Sequence, residues 1–188
     1  GWFGWGPLFP DFPKEGSAGS GQSGFLLFQL AFAATAATIL SGAVAERERF
    51  KGYALLSALM GAIIYPVSGH WIWGGTWEGT TKGWLAEIGF IDFAGSTAVH
   101  AVGGWAALCV ILVLGPRLGR FSEKNRRFEQ HSPALMALGT LFLWIGWTAF
   151  NGGSALIFDQ SVPTIIVHTM LTAAFGGLTA LLFSGAID

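Results

Sequence analysis

Few residues in this 188-residue sequence could do chemistry, and they stand in uncharged surroundings. Asp92 heads a run without charge. It reads as a helix N-cap, accepting bonds from the first backbone N–H groups; the sharper alternative is a negative charge that attracts a cation. His100 follows eight residues later, which on a continuous helix puts it ~12 Å deeper. It reads equally as a core histidine bonded to a neighbouring helix and as a functional group. His168 lies in a later apolar run and reads first as an interhelical hydrogen-bonding group, while His70 and His131 lie near the ends of runs. Phe28 and Phe32 are four apart and share one helix face. Trp147 and Phe150 are three apart and precede Asn151-Gly152-Gly153-Ser154. Singly, each aromatic is a packing residue. Aromatic faces above a buried imidazole would together suit a small cation that must shed water.

Other chemistries are poorly served. The single cysteine, Cys109, excludes an internal disulfide framework and a cysteine-rich zinc site. No HExxH or GxSxG motif occurs. On a continuous helix Asp92 and His100 would lie about 80° apart, so an intramembrane hydrolase is disfavoured and no enzyme is expected. Ten Lys+Arg against eleven Asp+Glu leave no basic face for nucleic acid.

The elements that must carry these residues are membrane helices. The chain is 52% hydrophobic and 11% charged, well below the charge of an ordinary soluble domain. It is rich in glycine and in aromatic residues, a mixture that suits packed membrane helices. No charge occurs over 24–45, 52–77, 93–116, 131–158 or 160–187, and each run is long enough to cross a ~30 Å hydrocarbon core. The expected fold is an all-α polytopic bundle with spans at 24–45, 52–73, 93–115, 132–153 and 161–184. Eight of the ten basic residues lie in the first and third connections: Arg47, Arg49 and Lys51, then Arg117, Arg120, Lys124, Arg126 and Arg127. The positive-inside rule makes 46–51 and 116–131 cytoplasmic and puts residues before Gly24 outside. Trp71, Trp73, Trp77 and Trp84 mark the outer boundary. Residues 1–23, rich in Gly, Pro and Ser, read as an extracellular loop. Residues 74–91 read as a second external loop holding at most one short interfacial helix.

Four blocks in order resemble a known family. Asp92-Phe93-Ala94-Gly95-Ser96-Thr97-Ala98-Val99-His100 matches the D-F-A-G-[GS]-x-x-V-H signature of the ammonium transporter (Amt/Mep/Rh) family. Phe28-Gln29-Leu30-Ala31-Phe32 leads to Ser41-Gly42-Ala43-Val44-Ala45-Glu46-Arg47. Tyr65-Pro66 leads to His70-Trp71-Ile72-Trp73-Gly74-Gly75, and Leu143-Trp144-Ile145-Gly146-Trp147 to Phe150-Asn151-Gly152-Gly153-Ser154-Ala155. The resemblance covers about residues 24–184 and favours the Amt/Mep branch.

It implies about five helices of an eleven-helix fold built from two inverted halves, a homotrimer with one pore per subunit in the plasma membrane, and a cytoplasmic PII-type regulatory partner. Carried over by position, Phe32, Trp73 and Ser154 would bind ammonium at the outer mouth. Phe32 and Phe150 would form the pore gate. His100, Trp147 and Phe28 would line the pore, and Asp92 would act structurally and electrostatically. A second pore histidine belongs to a later helix of the family, and His168 does not occupy its position. The chain therefore reads as part of a longer protein. An alternative keeps the same site in an ammonium-sensing membrane module coupled to a cytoplasmic signalling domain.

Overall fold

The computed structural model describes residues 17–76, 82–121 and 131–187. Among them there is no strand. The helices are α1 (Ser17–Val44), α2 (Phe50–Leu59), α3 (Tyr65–Trp73), α4 (Trp84–Glu87), α5 (Val102–Leu114), α6 (Pro133–Gly153) and α7 (Ser161–Ile187). A π-helical turn at Met60–Ile64 joins α2 to α3, and another at Ser96–Ala101 leads into α5. Among the described residues, five helical stretches are long and apolar enough to cross a membrane: Ser23–Val44, Phe50–Trp73, Ser96–Leu114, Pro133–Gly153 and Ser161–Ser184. The chain is thus an all-helical polytopic membrane protein. Residues 17–23, expected in a loop, extend α1 instead; residues 1–16 and Trp77 lie outside the described residues.

Local signals explain the boundaries. Ser132 caps α6, its hydroxyl accepting from the Leu135 N–H at 3.3 Å, and Pro133 sits where no amide donor is needed. Gly115, with φ +76°, ends α5. Hydroxyls along the spans bond back to their own helices, such as Thr35 to the Ala31 carbonyl and Thr140 to that of Met136, both within 2.9 Å. A hydroxyl bonded back in this way costs little in lipid because its hydrogen has a partner. The large apolar side chains face outward, Leu112, Val113, Phe142 and Leu182 among them, and a bilayer is the solvent that accepts such a surface.

The chain forms two compact units, 1–126 and 127–188. In the first, α1 packs along α5 on a seam of small residues, with Ala36, Leu40, Gly103 and Ala107 buried. A methyl group on Gly103 would lie 3.0 Å from the Ala36 carbonyl oxygen. This is the close backbone approach that small residues permit between membrane helices. The basic end of the seam is tied by Arg47, whose guanidinium donates to the Gly115 carbonyl at 2.6 Å and to the Ala43 carbonyl. A cation there also suits the negative ends of two helices. Beside it, Arg117 and Glu46 pair at 3.4 Å on the exposed surface. The second unit is the α6–α7 hairpin, where Gly152, Val162 and Thr169 are buried.

Candidate functional site

The first unit gathers Phe28, Phe32, Trp73, Asp92 and His100 around one backbone feature. Residues 92–95 are not helical, and the helix begins only at Ser96. Asp92 is buried, and its carboxylate accepts five hydrogen bonds. Oδ1 takes the N–H of Gly95 at 2.8 Å, the N–H of Ser96 at 2.9 Å and the Ser96 hydroxyl at 3.2 Å. Oδ2 takes the N–H of Thr97 at 2.9 Å and of Ala98 at 2.8 Å. These include the first three amides of the helix, which have no partner within it. A carboxylate is the strongest acceptor available to them.

Gly95 makes the turn possible. Its φ is +92°, and a methyl group there would stand 2.7 Å from Val99 Cγ2. No L side chain is comfortable in that conformation or that space. The Gly95 carbonyl then accepts from the N–H of Val99 at 3.1 Å and of His100 at 2.9 Å, the second bond opening the π turn. It also meets His100 Nδ1 at 3.0 Å. A carbonyl only accepts, so Nδ1 carries the proton, and the tautomer is assigned by that contact. Because 92–95 is not helical, the ~12 Å depth and ~80° separation expected for His100 on a continuous helix do not apply. His100 lies within the π-helical turn, four residues after its start at Ser96.

The aromatic residues join the same assembly. Phe28 and Phe32 have ring centroids 4.3 Å apart, and Phe32 and Trp73 are 5.7 Å apart, at 45° and 47°. Phe32 is buried. Trp73 Nε1 donates to the Asp92 carbonyl at 2.7 Å, so the residue that ends α3 is fixed to the loop that orders His100. A cleft of about 620 Å³ opens beside Trp73 and Asp92, with Lys82, Ala86 and Phe90 across it. The expected short helix in this connection is α4; Trp84 in it meets Trp71 edge-on at 5.9 Å.

The remaining expected site residues belong to the second unit. Trp147 and Phe150 lie on α6, and Ser154 on the turn that follows. The Ser154 hydroxyl donates to the Phe150 carbonyl at 2.8 Å, which leaves its lone pairs as the acceptor. His168 is exposed on α7, whereas its neighbour Thr169 is buried.

Sequence reasoning passed over three polar contacts. Tyr65 donates to Gln29 Oε1 at 2.5 Å between α3 and α1. Arg47 ties α1 to α5, and Asn151 Nδ2 donates to Thr169 Oγ1 at 2.9 Å across the hairpin. Gln29, Tyr65, Asn151 and Thr169 are uncharged polar residues within apolar spans, and that was the available signal. No group of three or more metal-ligating side chains is present among the described residues.

A multi-pass helical membrane protein with a carboxylate-ordered helix start beside paired aromatic rings is the class these features define. The sequence profile of the Ammonium Transporter Family matches residues 8–187, and the chain belongs to that family. It is 47% identical over 189 residues to the putative ammonium transporter sll1017 of Synechocystis, covering 97% of this chain and 41% of that protein. It is 46% identical over 161 residues to ammonium transporter Amt2 of Archaeoglobus fulgidus, covering 82% and 34% respectively. It is 42% identical over 173 residues to ammonium transporter 1 member 2 of Arabidopsis thaliana, covering 84% and 34%. The chain thus spans between about a third and two fifths of the length of these relatives.

Proposed function

We propose that this chain forms the entrance and part of the pore of an ammonium transporter. The observation that carries the reading is the continuous linkage from Phe28 and Phe32 through Trp73 and the Asp92 loop to His100. Ammonium is held at the outer mouth by the faces of Trp73 and Phe32 and by the lone pairs of Ser154. Stripping water from a cation is costly, and each ring face offsets up to about 2 kcal/mol of that cost when desolvated. Asp92 is structural: its carboxylate is engaged by five donors, and its charge stabilises the helix start.

Beyond the mouth, Phe32 and Phe150 form an apolar gate that disfavours any ion. Ammonium gives up one proton, neutral ammonia passes between the rings, and the proton crosses separately, with His100 as one relay group. Trp147 and Phe28 line the path. An alkali cation has no proton to leave behind and is excluded. In this reading the protein is a homotrimer of the plasma membrane and has a PII-type regulator on its cytoplasmic side. Residues 46–51 and 116–131 face the cytoplasm, and those before Gly24 face outward.

The test is His100→Ala in the full-length protein, with ammonium flux and exclusion of potassium measured together in proteoliposomes. The expected result is loss of flux, of selectivity, or of both. A variant that keeps flux and still rejects potassium would remove His100 from the mechanism.

A further inference from the structure

Besides Tyr65, two buried residues with polar or charged side chains occur among those described, and they fall in different units: Asp92 in the first and Thr169 in the second. Asp92 orders a site. Thr169 lies within α7 of the hairpin. Its hydroxyl has one hydrogen, and that hydrogen goes to the Ile165 carbonyl at 2.8 Å. The oxygen can then only accept, and it accepts from Asn151 Nδ2 at 2.9 Å. The direction of this relay fixes which end of the Asn151 amide faces α7.

Four other hydroxyls of these two helices, those of Thr140, Thr148, Thr172 and Ser184, bond back to carbonyls of their own helix. Thr169 differs in receiving a donor from α6. That donor lies one residue beyond Phe150 and three before Ser154. The backbone there is a closing turn: the Ser154 N–H is shared between the carbonyls of Phe150 and Asn151, each at 3.2 Å, and the Ser154 hydroxyl returns to Phe150. A constraint on Asn151 is therefore transmitted over one turn to both Phe150 and Ser154. Alongside it, Gly152 brings α6 close to α7, where an added methyl group would lie 3.5 Å from Val162 Cγ1.

We infer that Thr169 is a positioning residue for the ammonium site, holding the Phe150–Ser154 turn in place through Asn151. This rests on the reading of Ser154 as part of that site. The full-length protein would carry Thr169→Val, Thr169→Ser, Asn151→Ala or Ser154→Ala, with ammonium uptake measured against concentration and thermal unfolding followed in parallel.

Thr169→Val keeps the shape and removes the hydroxyl. It should raise the half-saturating ammonium concentration by about threefold to tenfold, the range that one interhelical membrane hydrogen bond can supply. The maximal rate should change little. Thr169→Ser should restore the original half-saturation. Asn151→Ala should shift it as Thr169→Val does, and it carries the same expectation if Thr169→Val does not accumulate. Ser154→Ala separates the two ideas. If it raises half-saturation while both Thr169→Val and Asn151→Ala leave it unchanged, the positioning role is wrong and the reading of Ser154 stands. If Ser154→Ala has no effect, the reading of Ser154 fails and this inference falls with it. A lower melting temperature or maximal rate for Thr169→Val, with half-saturation unmoved, would reduce Thr169 to a packing role and overturn the proposal.

Discussion

Replacing Asp92 by alanine tests the central geometric claim. The substitution removes the acceptor of four backbone amides and one hydroxyl. A hydrogen bond to a charged group contributes about 1.5–3 kcal/mol, so the four amide bonds set an upper figure of about 6–12 kcal/mol. Ser96 is exposed and Thr97 half-buried, so their amides are left out of the lower figure. Gly95 and Ala98 are buried, so their N–H groups would be stranded. Two stranded donors cost about 1–3 kcal/mol each, which gives a lower figure of about 2–6 kcal/mol. Asp92→Asn should fall between wild type and Asp92→Ala, because one oxygen survives while the new NH2 group opposes two backbone donors. Hydrogen exchange read by mass spectrometry on a peptide spanning 93–101 measures the effect directly. With tenfold per 1.4 kcal/mol, the amides of Gly95 to Ala98 should exchange at least about 30-fold faster in Asp92→Ala. A peptide within α6, in the other unit, should be unchanged. Exchange at 95–98 within threefold of wild type would refute the claim that this carboxylate holds the helix start.

Two further outcomes follow from the packing and the loops. Gly103→Ala should lower stability by about 1–3 kcal/mol by overpacking the α1–α5 seam, whereas the adjacent Gly104→Ala, with nothing within 4 Å of the added methyl, should cost nothing; equal thermal unfolding of the two variants would contradict the seam. The carboxyl of Asp159, exposed between α6 and α7, is held below its ordinary value by the hydroxyl and the N–H of Ser161. A depressed pKa means that the stabilisation is complete above the unfolded value, about 3.9, and is lost as pH falls through the folded one. The protection of the amides opening α7, taken relative to the intrinsic exchange rate at each pH, should therefore fall at acid pH, and Asp159→Ala should abolish that acid-dependent step.

Much of the architecture was readable before any coordinate, because charge in a bilayer is so costly that its absence marks each span. The five apolar helices follow the spans expected from the uncharged runs within three residues at each end. What pattern could not supply was the interruption at 92–95. An N-cap was expected to start the helix at once, but one carboxylate takes four successive amides, and the helix is delayed to Ser96. Nothing in a 3.6-residue period announces a π turn, since its cause is the extra bond from the His100 N–H to the Gly95 carbonyl. Attention in the fifth span went to His168 because imidazoles titrate; burial instead selects the neighbouring Thr169, whose importance depends on a residue 18 positions away. The meeting of Phe32 with Trp73 was likewise beyond periodicity, which orders residues along one helix and says nothing about where two helices cross.

A helix start with unclaimed amides is a natural receptor for chloride, nitrate or phosphate. At Ser96 that receptor is already filled, because the protein supplies its own anion from Asp92 four residues upstream. Negatively charged solutes meet a saturated docking point next to Trp73. This corner of the molecule therefore offers an anion no free helix amides, through a vacancy that was closed when the chain folded.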